Sequence, residues 1–246
     1  MKTKTIFLVL FISFYSLSGF SQTDMKVEEE KVITILQKLR SNDPEMDLEE
    51  VVIQFETTLK TLLSNKESWN YSFAKLSELI RITISKDKKI RTFGWDNRMG
   101  GSWHMLKTLV QHKTTNGVAV FSFQEESEEM DYDDEEVFRD VVIIEIYQLK
   151  KGYLLEGWGT HGSGHEHKIL AYYEFENDTL QRKSAFEKGA NYYVLEISRR
   201  YEFELEINTK TQEISHNEFV WDEEKEFYKP TGKKCILTFN GKIFKQ

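Results

Sequence analysis

The sequence has 246 residues but only one cysteine, Cys235, and two prolines. A single thiol excludes an intramolecular disulfide. Because Ile236 and Leu237 follow Cys235, we expect this cysteine to be a small buried residue in a strand. The scarcity of proline, with only 13 glycines, argues against a disordered chain, and 13% aromatic residues supply enough apolar side chains for a core.

The sequence also lacks an apolar run long enough to cross a membrane as a helix. Residues 6–15 are ten residues with one polar member, whereas a helix that spans a bilayer needs ~20 residues. This run follows Lys2 and Lys4 and precedes Gly19 and Ser21, an order typical of a secretory signal peptide cleaved after Ser21. No cysteine stands at that point to carry a lipid. We therefore expect a soluble protein that is periplasmic or secreted.

The sequence has fewer basic than acidic residues. The 33 Lys and Arg residues face 41 Asp and Glu, a formal charge of −8; without Lys2 and Lys4 the 33 become 31, which makes it −10. Such a surface repels phosphate groups, so nucleic acid and anionic membranes are unsuitable partners. Nine of the thirteen residues 124–136 are acidic, which predicts a solvated loop and leaves calcium binding open as the alternative.

Hydrophobic periodicity divides the remaining chain at about residue 80. Before it, apolar residues recur at helical spacing, with a first helix from Asp24, a second capped by Asp47 with Glu50 three residues on, and a short helical piece over 73–79. After it, apolar and polar residues alternate between turn residues, which predicts strands. The expected fold is α+β, with two or three N-terminal helices followed by a large antiparallel β-meander of roughly ten strands. The predicted divisions are a signal peptide at 1–21, a helical segment at 22–80 and an antiparallel β domain at 81–246.

Two of the predicted strands have distinctive patterns. Residues 141–144 are apolar at every position, which predicts a central strand buried on both faces. Residues 201–207 alternate without interruption, which predicts a strand with one buried and one solvated face. The final predicted strand covers 234–239.

One candidate binding site is the loop between the predicted strands at Trp95 and Trp103. It also carries Asp96 and His104, so aromatic rings, a carboxylate and an imidazole meet at one sheet end. Aromatic faces beside polar groups hold sugars or apolar ligands in many sites. The same residues also suit an ordinary hairpin loop, in which Asp96 bonds the local backbone and glycines adopt positive φ.

The second candidate is the glycine-rich stretch 157–167, in which Trp158 and His161 extend the predicted binding surface. His165 and His167 share a face if this stretch is extended. His161 then supplies a third imidazole, and catalytic zinc takes three protein ligands. A metal-dependent hydrolase is therefore the alternative function, while a hairpin tip with exposed histidines is the structural alternative. Phosphate-binding glycine motifs and the nucleophile elbow are absent, and no cofactor is expected.

Several short motifs resemble those of exported bacterial proteins of uncharacterised function. Those in the first part of the β region are Ser85-x-Asp87-x-Lys89-x-Arg91, Trp95-Asp96, Gly100-Gly101-Ser102 and His104. Those near the end are Thr231-Gly232 and Phe239-Asn240-Gly241-Lys242-x-Phe244. The likeness extends over about residues 70–246 and implies export and a helical start followed by a β-meander. It supplies no catalytic residue.

The sequence thus predicts an exported, non-enzymatic binding or structural module, with a small ligand, a glycan or an envelope protein as partner. Neither nucleic acid binding nor stable membrane insertion is expected. The binding hypothesis requires that the loops after Trp95 and Trp158 meet at one sheet edge. Loops at opposite ends would be two ordinary hairpins.

Overall fold

The structure is a computed structural model that describes residues 24–41, 43–124, 139–160, 162 and 164–246. The predicted signal peptide, residues 125–136 of the acidic segment and His161 lie outside the described residues. The chain divides into two compact units, one ending at Leu79 and the other beginning at Ile80. No helix in the described part of the chain combines the length and apolar character needed to cross a membrane.

The first unit is helical. Helix α1 spans 24–39, and α2 spans Leu48–Ser64. Helix α2 begins where predicted, because Asp47 has an extended backbone and its Oδ1 accepts the Glu50 N–H at 3.1 Å. The predicted helical piece over 73–79 is only a short 3₁₀ turn at Leu76–Glu78, and a second 3₁₀ turn covers Lys66–Asn70.

The described part of the second unit contains thirteen strands, each paired antiparallel with its neighbours. They are β1 Arg81–Ile84, β2 Ile90–Asp96, β3 Leu106–Thr114, β4 Gly117–Ser122, β5 Val142–Gln148, β6 Tyr153–Thr160, β7 His165–Glu176, β8 Thr179–Lys183, β9 Tyr192–Ser198, β10 Leu205–Asn208, β11 Glu213–Asp222, β12 Phe227–Phe239 and β13 Phe244–Lys245. They form a first sheet (β1–β4), a middle sheet (β5–β8, with β9 also paired to β7) and a last sheet (β10–β13). Only β9 departs from pairing in sequence order. The predicted α+β class with an antiparallel meander is confirmed.

The middle sheet is buried on both faces. Alternate residues of β6 point to opposite faces, so Leu155 packs with Val110 and other side chains of the first sheet. Its neighbour Leu154 packs with Leu237 and other side chains of the last sheet. This double cover is why seven of the eight residues of β6 are buried.

The apolar run at 141–144 does not form a central strand, because β5 is an edge strand of the middle sheet. Its open edge lies against the first sheet, whose side chains bond its carbonyls. Thr108 Oγ1 donates to Val141 O at 2.9 Å and Thr83 Oγ1 donates to Ile143 O at 3.0 Å. A Cβ at Gly94 would lie 2.9 Å from Val142 Cβ, so this close crossing requires glycine. Apolar side chains at every position therefore mark a covered edge here.

The alternating run at 201–207 is a strand only at its end, in β10. The segment before β10 is bonded by a side chain instead. The Asn217 amide donates to Glu202 O at 3.1 Å and accepts from Glu204 N at 3.0 Å. Because Asn217 occupies these backbone groups, the expected strand is shortened. The final predicted strand, in contrast, is longer than 234–239, since β12 begins at Phe227.

Candidate functional site

The loop between β2 and β3 is ordered by its own hydrogen bonds. The Trp95 indole donates to Asn97 Oδ1 at 2.6 Å, and Asp96 Oδ1 accepts the Arg98 N–H at 2.7 Å. Gly100 has φ +87°, and a Cβ there would lie 2.0 Å from the carbonyl oxygen of Trp103. Only glycine fits this position. The expected local bonding of Asp96 is therefore present, and it gives the loop a defined shape.

Asp96 also fixes the orientation of His104. Asp96 Oδ2 lies 2.7 Å from His104 Nδ1, and the two side chains are 29% and 48% exposed. Since a carboxylate only accepts hydrogen bonds, Nδ1 of His104 carries the proton and donates. In the neutral ring Nε2 then has a lone pair, and no described side chain is hydrogen-bonded to it. The lone pair on Nε2 can accept a hydrogen bond from a ligand hydroxyl.

The loop between β2 and β3 contacts the end of β6, the strand that carries Trp158. The backbone N–H of His104 donates to Thr160 Oγ1 at 3.2 Å, and Thr160 is the last residue of β6. Trp158 precedes it by two residues and therefore points to the same face of β6. We call Asp96, Trp103, His104, Trp158 and Thr160 the edge cluster.

The three tryptophans of the predicted site differ in exposure. Trp95 is 3% exposed, so it packs in the core beneath the loop and presents no ring face to a ligand. Trp103 and Trp158 are both half-buried. The indole N–H of Trp158 donates to Glu166 Oε2 at 3.1 Å, which fixes the ring. The surface offered by this region therefore has two tryptophans.

The histidines of the predicted metal site have individual surroundings. His165 stacks on Phe227, with ring centroids 5.0 Å apart and planes 13° apart. His167 is 0% exposed, and a Cβ on Gly159 would lie 2.5 Å from its Cε1 and Nε2. Among the described residues, no group of three or more His, Cys, Asp or Glu could hold a metal ion. Since His161 lies outside them, the zinc hypothesis stays a prediction.

Sequence reasoning gave Thr160 no role, and it expected of Asn97 only local bonds within a hairpin loop. Thr160 is 1% exposed and anchors the loop across 56 positions of sequence. Nothing near it in the sequence signals that contact. Asn97 is 3% exposed. Its one local signal is its position, because it is a polar residue directly after a strand.

Comparison of the chain with protein-family models, curated proteins and solved structures finds no match. The function is therefore inferred from the edge cluster and its geometry.

Proposed function

We propose that this chain is an exported, non-enzymatic module that binds a neutral sugar chain at the edge cluster. The observation that carries the proposal is the hydrogen bond from His104 N to Thr160 Oγ1. This bond holds the loop that carries Trp103 and the Asp96–His104 pair against the end of β6, two residues after Trp158.

The chemistry of the edge cluster suits a carbohydrate. The C–H faces of a sugar ring are apolar and pack on aromatic rings, while its hydroxyls need hydrogen-bond partners. Trp103 and Trp158 are both half-buried, and the hydrogen bond to Glu166 fixes the Trp158 ring. The Asp96–His104 pair supplies an oriented acceptor at Nε2. An uncharged sugar chain is also not repelled by the acidic surface of the protein.

Binding is tested by calorimetric titration with maltohexaose, cellohexaose and chitohexaose. We expect one of the three to bind, and Trp103→Ala to weaken it about 3–10-fold because an aromatic platform is lost. His104→Ala removes the acceptor and should weaken the same hexasaccharide about 2–10-fold.

The matched control for Trp103→Ala is Trp69→Ala, which removes a tryptophan of similar exposure from the helical unit. It should leave the affinity unchanged, and both variants should keep the circular dichroism spectrum of the parent protein. If none of the three hexasaccharides binds, or if both tryptophan variants lose affinity equally, the edge cluster is not a sugar site.

Export is tested by expressing the full chain in a Gram-negative host and sequencing the N-terminus of the protein in the periplasmic fraction. We expect Gln22 as its first residue, because Gly19 and Ser21 are the small residues that signal peptidase reads. Leu8→Asp places a charge in the apolar run and should keep the protein in the cytoplasm with Met1 present. An unprocessed parent protein in the cytoplasm contradicts the export proposal.

A further inference from the structure

A second cavity lies between β9 and the last sheet, apart from the edge cluster. Its volume is about 260 Å³, just below the ~300–1,000 Å³ of pockets for drug-sized molecules. Four aromatic residues line it: Tyr193, Phe203, Phe219 and Tyr228. A pocket of this size fits a small metabolite better than a polymer.

The charged side chains that line this cavity are acidic. Glu196 and Glu218 are its charged residues, and none of the described residues that line it is a lysine or an arginine. Tyr228 donates its hydroxyl to Glu196, and Thr231 donates to Glu218 Oε2 at 2.7 Å. These hydrogen bonds hold both carboxylates in fixed positions, and a carboxylate so held remains an acceptor for a further donor.

The imidazole in the cavity adds no positive charge. His216 is 5% exposed, and burial lowers its pKa below the ordinary value. Its Nδ1 donates to Asn217 O at 2.9 Å, and its Nε2 accepts from the Tyr193 hydroxyl at 2.8 Å. The ring is therefore neutral at pH 7, and the cavity keeps its negative character.

We infer that this cavity binds a small organic cation, namely a primary or quaternary ammonium compound. Aromatic faces attract cations through their quadrupole, and carboxylates supply the compensating charge. Phe203 already shows this behaviour, because the ammonium of Lys168 lies 5.8 Å from the centre of its ring. Phe203 and Phe219 lie 5.8 Å apart with their planes at 59°, so the two rings form an angled wall. This site does not depend on the proposed sugar binding.

Cys235 makes the inference testable because it lines the cavity and is the single thiol of the chain. Methyl methanethiosulfonate labels it when the thiolate attacks the sulfenyl sulfur, forms a methyl disulfide and releases methanesulfinate. We expect choline chloride to slow this labelling in a saturable manner, whereas sodium chloride at equal ionic strength does not. Mass spectrometry of the intact protein gives the rate.

Two variants should weaken the protection by choline about 3–10-fold. Phe203→Ala removes one ring of the wall, and Glu196→Gln removes one negative charge. The matched controls are Trp69→Ala, which removes an aromatic residue of similar exposure from the helical unit, and Glu204→Gln, whose side chain is exposed; neither residue lines the cavity. Both controls should keep the protection seen in the parent protein.

Equal effects of choline and sodium chloride on the labelling rate overturn the inference. If Cys235 of the folded protein does not react, the ring signals of His216 in an NMR titration with choline chloride give the same readout. Signals that shift with choline and not with sodium chloride support the site. Signals that do not move with either salt contradict it.

Discussion

Replacing Phe244 by alanine is expected to lower the free energy of unfolding by about 3–5 kcal/mol. Phe244 is 1% exposed. Its ring centroid lies 4.7 Å from that of Phe239 and 5.5 Å from that of Phe186, on which it stacks. Truncation therefore removes the ring that joins the last sheet to the segment after β8, and it leaves a cavity. Urea unfolding followed by circular dichroism measures the loss.

The control for this variant is Ile236→Ala, in β12 of the same sheet. Ile236 is 52% exposed, so its truncation should change the free energy of unfolding by less than about 0.5 kcal/mol. A loss below about 1 kcal/mol for Phe244→Ala would mean that β13 does not belong to the core.

The motif Phe239-Asn240-Gly241-Lys242-x-Phe244 near the end of the chain has a structural role. Asn240 Oδ1 accepts the backbone N–H groups of Lys242 and Ile243, each at 3.0 Å. Gly241 has φ +98°, a conformation that favours glycine. The motif thus forms a tight turn that places Phe244 in the core. Its residues are accounted for by folding, and they add nothing to the edge cluster.

Local sequence patterns predicted much of the fold because the forces that set them are local. Asp47 caps α2 because its carboxylate reaches a backbone N–H three residues away. Alternation at the end of β12, where Cys235, Leu237 and Phe239 are buried and the two residues between them are exposed, follows from the two-residue repeat of a strand. The strand at 201–207 was predicted too long because the competing group, Asn217, lies more than ten residues away in sequence.

The candidate sites were less predictable than the fold because they depend on long-range contacts. The sequence identified Asp96, His104 and Trp158, but the contact through Thr160 requires that β6 end beside the loop from the first sheet. Trp95 and Trp103 are chemically identical, and only the packing distinguishes the buried ring from the half-buried one. The acidic aromatic cavity is lined by residues from separate segments, so no single motif marks it.

Replacing Lys168 by methionine is expected to lower the free energy of unfolding by about 3 kcal/mol, the lower end of the range for breaking a buried ion pair. Lys168 is bonded to Glu156, whose side chain is 5% exposed, while that of Lys168 is 21% exposed. The Tyr147 hydroxyl also donates to Glu156, at 2.9 Å. Without Lys168, the carboxylate keeps this one neutral partner in a buried place on the middle sheet. Urea unfolding at pH 7 measures the loss.

A double-mutant cycle separates the ion pair from the packing of the lysine stem. Glu156→Gln combined with Lys168→Met removes both charges and leaves an amide oxygen to accept from Tyr147. We expect the double variant to be more stable than Lys168→Met alone, since the uncompensated charge is the main cost. Lys183→Met breaks the more exposed pair with Glu176 and should cost at most about 1 kcal/mol. If Lys168→Met lowers the free energy of unfolding no more than Lys183→Met does, then Glu156 is solvated. In that case the ion pair does not close this part of the middle sheet to water.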